Sequence, residues 1–259
     1  MSIVTGGSEG VGLAIAKVLA ARGHDLLLIA RRPDVLSAAA KDLGAAFPVK
    51  VATLALDLTH PEACEAIDAE LGRLRAHVHM LVNAAAIGHS GAFAEAEALE
   101  LGRLVQLNVE VPTRLMRHVL PGMRRRRSGG ILNVASLGGY TPGPYQAAYY
   151  ASKSYLISLS EAVAAEARAD GVRVAVVAPG PVETAFHAKM DAERAFYRRL
   201  LPSSSPETVA RWAVRGFELG MRVIVPGVFN LIIASALRFL PHTLLVPVMA
   251  WLLHPRRPT

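Results

Sequence analysis

The stretch that decides the fold is TGGSEGVG, residues 5–12. It follows a short apolar run of strand length, residues 2–5, and leads into residues 11–21, where apolar side chains recur three and four positions apart as on a helix. Three glycines in the turn allow a tight bend, a close approach of the backbone to a pyrophosphate, and close contact between strand and helix. The helix N-terminus adds N–H groups and the positive end of a dipole. The stretch therefore predicts a dinucleotide-binding turn, more strongly than a bare glycine triplet would.

The same alternation of short and long apolar segments continues along the chain. Runs of strand length lie at residues 26–30, 49–56, 78–82, 131–135, 172–177 and 223–225, with helical segments such as 61–74 and 152–167 between them. Apolar strands without polar alternation are typical of a parallel sheet that helices cover on both faces. The pattern predicts an α/β fold, a single Rossmann-type doubly wound parallel sheet of about seven strands, within one domain covering residues 1–259.

Composition excludes several classes of protein. With 52% hydrophobic and only 19% charged residues, the chain is not a disordered one. Cys64 is the single cysteine, so neither an internal disulfide nor a thiolate metal cluster is expected, and no metal site is predicted. Residues 2–5 enter the glycine turn directly, without the basic start and apolar core of a signal peptide. We expect a reducing, cytoplasmic setting.

The formal net charge of +7 includes one dense run, Arg124 to Arg127, just before Gly129. Cations in the last turn of a helix complement its dipole, and no aromatic side chains are interleaved here to stack on bases. The run is interpreted as a solvated helix end rather than a nucleic-acid patch, and no nucleic-acid partner is expected.

The C-terminal segment, residues 226–259, is unusually apolar. Its charge-free stretch between Arg222 and Arg238 is fifteen residues long, shorter than the roughly 18 residues that a spanning helix needs. A membrane-spanning helix is therefore not predicted. The favoured interpretation is a pair of helices on the core or on a partner subunit. An interfacial segment in contact with a membrane, or the wall of a pocket for an apolar substrate, stays open.

The end of the second strand predicts the cofactor. In dinucleotide folds a carboxylate at this place binds the ribose 2′-hydroxyl of NAD and repels the 2′-phosphate of NADP. Here the residues are Ala30, Arg31 and Arg32, and two guanidinium groups offer forked donors to a phosphate. The sequence therefore predicts NADP(H), against the alternative that both arginines are merely solvated.

A tyrosine and a lysine predict the chemistry. Tyr149 and Lys153 are i and i+4 and share one helix face. A phenol, whose pKa is near 10 when free, can supply the proton for carbonyl reduction if a neighbouring cation lowers that pKa. Spacing alone does not choose between Tyr149 and Tyr150, because Tyr150 is i+3 from the same lysine.

The pattern T-G-x-x-x-G-x-G at residues 5–12 and the pattern Y-x-x-x-K at residues 149–153 resemble the short-chain dehydrogenase/reductase superfamily, in particular its NADP-preferring bacterial ketoreductases. The resemblance implies that Tyr149 is the acid/base, that Lys153 lowers its pKa and holds the ribose, and that Ser136 polarises the carbonyl. It also implies that Asn108 positions a water for the proton relay. A departure occurs at residues 83–86, Asn-Ala-Ala-Ala, where the family has Asn-Asn-Ala-Gly.

The turn, the strand ends and the resemblance together predict a set of cofactor-binding residues. P-G-x-x-x-T at residues 179–184 corresponds to the segment that holds the nicotinamide in that family. Residues 185–205 correspond to a substrate-covering lid, in which His187 and Met190 are weak candidates for the pocket. The predicted cofactor set is Gly6, Ser8, Glu9, Gly10, Val11, Gly12, Arg31, Arg32, Asp57, Leu58, Asn83, Ala84, Ala85, Tyr149, Lys153, Pro179, Gly180, Val182 and Thr184.

The expected function is an NADP(H)-dependent oxidoreductase that interconverts a ketone or aldehyde and an alcohol. Its substrate is expected to be a small hydrophobic molecule, and family members imply a homodimer or homotetramer packed through the helices that carry Asn108 and Tyr149. Two alternatives stay open, a membrane-surface reductase of lipid-like 3-keto substrates and a non-catalytic NADP-binding regulatory protein. The retained set Ser136, Tyr149 and Lys153 argues against the second.

Overall fold

A seven-stranded parallel sheet forms the centre of the protein in the computed structural model, which describes residues 1–186, 190 and 202–254. The strand order is β3-β2-β1-β4-β5-β6-β7, the doubly wound arrangement that the sequence predicts. The strands are β1 Ser2–Thr5, β2 Leu26–Ala30, β3 Val51–Ala55, β4 Met80–Asn83, β5 Gly130–Val134, β6 Arg173–Val177 and β7 Val223–Ile224.

Helices connect the strands. Helices α2 and α7 each begin at a proline, where a missing N–H costs no hydrogen bond. Helix α2 begins at Pro33, and α7 begins at Pro206 after Ser205, whose Oγ accepts a bond from the Thr208 N–H. The helices are α1 Gly10–Ala20, α2 Pro33–Ala46, α3 Ala63–Arg73, α4 Ala98–Val105, α5 Val111–Arg126, α6 Ala147–Ala167, α7 Pro206–Glu218, α8 Val228–Phe239 and α9 His242–Leu253.

Alternate residues of each strand point to opposite faces of the sheet, and both faces are covered. Val4 and Leu28 pack against α1 and α7, whereas Ile3 and Leu81 pack with apolar residues of α3 and α5. These strand side chains are almost completely buried. This confirms the prediction, made from unbroken apolar strands, that helices lie on both sides.

Several predicted apolar runs differ from the observed strands by one or two residues at an end. The apolar run 49–56 forms a strand only over 51–55, because Val49 lies in a turn and donates its N–H to the Phe47 carbonyl. Helix α6 begins at Ala147, so Tyr149 lies in its first turn, as the sequence predicts.

The arginine run lies where the sequence predicts, at the end of a helix. Helix α5 ends at Arg126, and Arg127 adopts a left-handed conformation with φ of 50°. Arg124 pairs with Asp170, and Arg126 donates to the Val78 carbonyl. Members of the run thus tie the end of α5 to neighbouring elements.

The C-terminal segment forms two helices of 12 residues each, α8 and α9. Asn230 and Ala234 are the buried residues of α8, and Leu245 and Leu253 are those of α9. Of the helices that the structure describes, none is long and apolar enough to cross a bilayer.

Candidate active site

A cleft of about 810 Å³ opens at the carboxyl ends of the central strands. It lies where the strand order reverses between β1 and β4, which is the place where doubly wound sheets bind their ligands. Thr5 Oγ1 connects the two strand ends by accepting bonds from the N–H groups of Ala84, at 3.0 Å, and Ala85, at 3.2 Å. The cleft is lined by every residue of the predicted cofactor set except Asn83, and also by Ser136.

The glycine turn forms the floor of the cleft. Gly6 and Gly10 have positive φ values of 64° and 58°, in the region that favours glycine. At Gly12 an added Cβ would lie 2.3 Å from the Gly6 carbonyl oxygen, and at Gly6 it would lie 3.0 Å from the Ala85 backbone. Any larger residue at position 12 would push the turn away from helix α1. The turn therefore keeps the close backbone approach that a dinucleotide phosphate requires.

Basic side chains gather at one end of the cleft. Arg31 and Arg32 follow β2 and line it, and Arg32 Nη2 donates to Glu9 Oε2 at 2.8 Å. Both partners of this ion pair are about half exposed, so the pair is a weak one. Lys17, on α1, also lines the cleft. The sequence analysis missed Lys17, although its position one helical turn beyond the glycine turn was a usable signal.

Asp57 and Leu58 line the cleft beside β3. Burial raises the pKa of the Asp57 carboxyl, but two hydrogen bonds from Thr59 and the nearby Arg31 outweigh this and lower the pKa overall. The Thr59 N–H and hydroxyl donate to Asp57 Oδ1 at 3.0 and 2.8 Å. Asp57 is therefore held as an ionised acceptor at the cleft wall.

The structure shows which of the two tyrosines faces the cleft, a choice that spacing in the sequence leaves open. Tyr149 lines the cleft, whereas Tyr150 is buried away from it. The Tyr150 ring packs under the loop before α6, so closely that a Cβ on Gly143 would lie 2.3 Å from its Cγ atom. Leu253 of α9 packs on Tyr150 in the same small cluster. Of the two, only Tyr149 is open to a ligand in the cleft.

Lys153 is almost completely buried, with 3% of its surface exposed. Its Nζ atom donates to the Val134 carbonyl at 3.0 Å and lies 5.6 Å from the centre of the Tyr149 ring. Burial disfavours the charged ammonium and lowers the pKa of Lys153 to about 8. A cation thus lies beside the phenol ring, at the end of β5.

Ser136 lies two residues beyond β5, at the start of a short 3₁₀ turn, Leu137–Tyr140. Its Oγ accepts a bond from the Gly138 N–H at 3.1 Å. Because that bond uses an acceptor position, the hydroxyl proton can be donated into the cleft, which Ser136 lines together with Tyr149.

Asn108 lies outside the cleft lining. It occupies a π-helical stretch, Gln106–Glu110, between α4 and α5, a distortion that often accompanies functional sites. Its side chain bonds both backbone groups of Ile87, at 3.0 and 2.8 Å, and donates to Ser152 Oγ at 3.2 Å. Ser152 in turn donates to the Tyr149 carbonyl at 2.6 Å. The structure therefore links Asn108 to the backbone of Tyr149, and its role in a proton relay stays a prediction.

Asn83 also lies outside the cleft lining. Its side chain is buried and donates to Asn133 Oδ1 at 2.8 Å, and Asn133 donates to Ser160 Oγ at 2.8 Å. This polar chain joins β4, β5 and α6 inside the core. The position of Asn83 agrees with support of the sheet rather than with a side-chain contact to the cofactor.

The far wall is formed by residues 179–184 and by Phe186, whose ring centre lies 5.5 Å from that of Tyr149. Sequence reasoning missed Phe186. Most of the predicted lid, including His187, lies outside the described residues. Met190, by contrast, is buried and packs closely on Gly88, where an added Cβ would lie 2.9 Å from the Met190 Sδ atom.

The end of helix α9 packs beside α6, the helix that carries Tyr149 and Lys153. Leu253 is fully buried in a cluster with Tyr150, and Tyr149, Met249 and Leu252 pack against that cluster. The His254 ring meets the Tyr145 ring edge to face, with centres 4.9 Å apart. The C-terminal segment thus packs on the core beside α6, as in the favoured interpretation, and none of its described residues lines the cleft.

Comparison with known proteins gives a consistent result. A family described as short chain dehydrogenase matches residues 1–195. A short chain dehydrogenase of Pseudocercospora fijiensis is 35% identical over 74% of this chain and 62% of its own length. A very-long-chain 3-oxoacyl-CoA reductase of Bos taurus is 31% identical over 83% of this chain and 67% of its own length. The chain thus covers only about two thirds of these relatives.

Among solved structures, a short-chain dehydrogenase from Sphingobium yanoikuyae in complex with NADPH is similar over 99% of this chain and 98% of that one. The TM-score is 0.82 and the sequence identity is 28%. The similarity extends through the C-terminal helices, beyond the residues that the family match covers.

Proposed function

We propose that the protein is an NADP(H)-dependent reductase of ketones or aldehydes, because it belongs to the short-chain dehydrogenase family. Members of this family are oxidoreductases that use a nicotinamide cofactor and act on CH–OH and C=O groups. The observation that carries the proposal is the position of Tyr149 and Lys153 in the cleft that the glycine turn forms. Ser136 lines that cleft as well. Cofactor and acid/base groups therefore share one space.

The proposed mechanism assigns one task to each side chain. Ser136 donates its hydroxyl proton in a hydrogen bond to the carbonyl oxygen and draws electron density from the carbonyl carbon. NADPH, when bound, supplies the hydride that this carbon accepts. Tyr149 transfers its phenolic proton to the oxygen, so that a C–H and an O–H bond form and an alcohol results. The reverse sequence oxidises the alcohol.

Lys153 stabilises the phenolate that Tyr149 leaves behind. Its Nζ lies 5.6 Å from the ring centre, inside the protein, where water screens charges poorly. With a pKa of about 8 the lysine is mainly charged at neutral pH. Asn108 acts through Ser152: it donates to the Ser152 hydroxyl, which in turn donates to the Tyr149 carbonyl and fixes the first turn of α6.

The NADP preference rests on the strand end at Ala30. Arg31 and Arg32 line the cleft there and no carboxylate follows β2 until Asp34. The pair between Arg32 and Glu9 is exposed, and a phosphate with about two charges can replace it. The NADPH complex of the similar Sphingobium protein supports the same choice.

The substrate proposed is a hydrophobic carbonyl compound. Phe186 lines the cleft beside Tyr149 and provides an apolar contact, and Met249 and Leu252 pack against the adjoining pair Tyr150 and Leu253. The relatives named very-long-chain 3-oxoacyl-CoA reductases favour a second candidate of the same reaction class, a 3-oxoacyl thioester with a long chain. We also propose a homodimer or homotetramer that packs through the helices beside Asn108 and Tyr149, because members of the family are often oligomeric.

Replacing Tyr149 with Phe tests the mechanism. The variant lacks the proton donor, so the rate of NADPH consumption across a panel of ketones and aldehydes should fall by at least about a hundredfold. The affinity for NADPH, measured by fluorescence titration, should change little. The matched control is Tyr150→Phe, which keeps the buried ring and should retain most of the activity. An unchanged rate in Tyr149→Phe would overturn the proposed mechanism.

A further inference from the structure

Helices α8 and α9 each expose an apolar stripe opposite the face by which they pack. On α8 the exposed residues Val228, Ile232 and Phe239 follow a spacing of four and seven, and the buried Asn230 and Ala234 lie on the other side. A helix at the surface of a core normally presents polar residues outward. Helix α8 does not.

Helix α9 repeats the arrangement. Leu244, Val248 and Trp251 are spaced by four and three and are exposed, while Leu245 and Leu253 are buried. We call these two stripes together the C-terminal apolar surface; its residues are Val228, Ile232, Phe239, Leu244, Val248 and Trp251, with exposed fractions between 53 and 84%.

The charge of this segment has one sign. The C-terminal segment, residues 226–259, contains no Asp or Glu, although the chain has 21 of them, and its three arginines are Arg238, Arg256 and Arg257. Arg238 lies next to Phe239 on α8, in the middle of the segment. Apolar side chains together with cations and without acids are the combination that an anionic lipid surface attracts.

Other occupants fit less well. A second copy in a two-fold contact would bring the same surface against itself, and the segment offers no acid to pair with Arg238 of the other copy. A spanning arrangement is excluded by length, since 12 residues extend only about 18 Å against a hydrocarbon core of about 30 Å.

We propose that α8 and α9 bind to an anionic membrane surface, with the C-terminal apolar surface inserted at the level of the headgroups. The helices lie in the plane of the interface and do not cross it. Helix α9 ends against Tyr150, next to Tyr149. Binding therefore brings the substrate end of the cleft close to the membrane, a consequence that rests on the proposed function, whereas the binding itself does not.

Vesicle binding tests the proposal on the full chain. The probe is a vesicle of phosphatidylcholine with about one quarter phosphatidylglycerol, compared with pure phosphatidylcholine. The wild-type protein should sediment with the anionic vesicles and much less with the neutral ones. In Trp212→Phe, Trp251 is the only tryptophan that remains, and its emission should shift to shorter wavelength on the anionic vesicles.

Matched variants locate the contact. Phe239→Gln with Leu244→Gln should lower the partition onto anionic vesicles about tenfold or more, and Arg238→Glu should lower it as well. The control Leu219→Gln changes a similarly exposed leucine, at 71%, which follows α7 and is not part of the C-terminal apolar surface, and should bind like the wild type. Tyr149→Phe should also bind normally, so loss of activity and loss of binding are read separately.

Three results would overturn the proposal. The first is a wild-type protein that sediments with neither vesicle. The second is equal binding by the wild type and by the Phe239 and Leu244 double variant. The third is a change of oligomeric state in that double variant, measured by light scattering, since this would identify the surface as a contact between copies of the chain.

Discussion

Arg32 and Glu9 lie on two different loops at the basic end of the cleft, joined by an exposed ion pair. An exposed pair contributes at most about 1 kcal/mol, whereas a guanidinium that binds a phosphate forms charge-assisted bonds of about 1.5–3 kcal/mol. A 2′-phosphate can therefore displace Glu9 from Arg32. Arg31 lines the same space, beside the Asp57 carboxyl whose pKa it helps to lower.

Removing both guanidinium groups tests this choice of cofactor. Arg31→Ala with Arg32→Ala should raise the dissociation constant for NADPH about ten- to a hundredfold or more, because the phosphate loses its donors. The constant for NADH should change by no more than about twofold. The control is Arg125→Ala, an exposed arginine outside the cleft lining. Equal weakening of both cofactors would show that the arginines do not recognise the phosphate.

For single residues, the sequence predicts well which ones line the cleft, but it does not predict which of two neighbouring side chains faces into it. All of the predicted cofactor residues but Asn83 line the cleft, because the glycine turn and the strand ends determine where they lie. Spacing could not choose between Tyr149 and Tyr150, since the choice depends on how closely Gly143 and Leu253 approach the second ring. Those contacts come from distant segments, and no local pattern encodes them.

At the scale of elements, helix α9 packs beside α6, the helix that carries Tyr149. Leu253 is fully buried at its end and belongs to the cluster that includes Tyr150, while Leu244 near its start is exposed. Because the two leucines lie on one helix, substituting each in turn distinguishes the loss of packing around Tyr150 from a general change in α9.

Leu253→Ala should loosen the end of α9 from Tyr150, because a buried leucine leaves a cavity that costs about 2–5 kcal/mol. We expect KM for a bulky ketone to rise severalfold while the dissociation constant for NADPH stays within about twofold, since the glycine turn is untouched. Leu244→Ala is the control and should change neither constant. Steady-state kinetics and cofactor titration check both. A variant that loses NADPH affinity as strongly as substrate affinity would contradict this.

The elements that the sequence predicts best are the strands and the first helix, since their apolar periodicity and the glycine turn act locally. For the C-terminal helices the sequence leaves three alternatives open, because apolar residues occur around most of α8 and α9 and periodicity does not reveal which face packs. Only the burial of Asn230 and Leu253 shows the packed faces.

At the scale of the whole molecule, the buried ammonium group of Lys153 lowers the free energy of unfolding at neutral pH. Lys153 is buried and its pKa is lowered to about 8, so at neutral pH the folded protein keeps a charge inside that the unfolded chain would hold in water. Between about pH 8 and the ordinary lysine pKa near 10.4, the unfolded chain binds more protons than the folded one. The free energy of unfolding that depends on Lys153 therefore rises with pH across this window.

Lys153→Met should consequently abolish reduction and yet stabilise the cofactor-free protein at about pH 7. Its advantage in the free energy of unfolding over the wild type should shrink by about 2–3 kcal/mol as the pH is raised to about 10, because the wild-type lysine then loses its buried charge. Urea unfolding at both pH values measures this difference. Lys17→Met removes an exposed lysine and serves as the control, with a difference that stays constant. If the advantage of Lys153→Met were equally constant, the buried charge would not be what destabilises the fold.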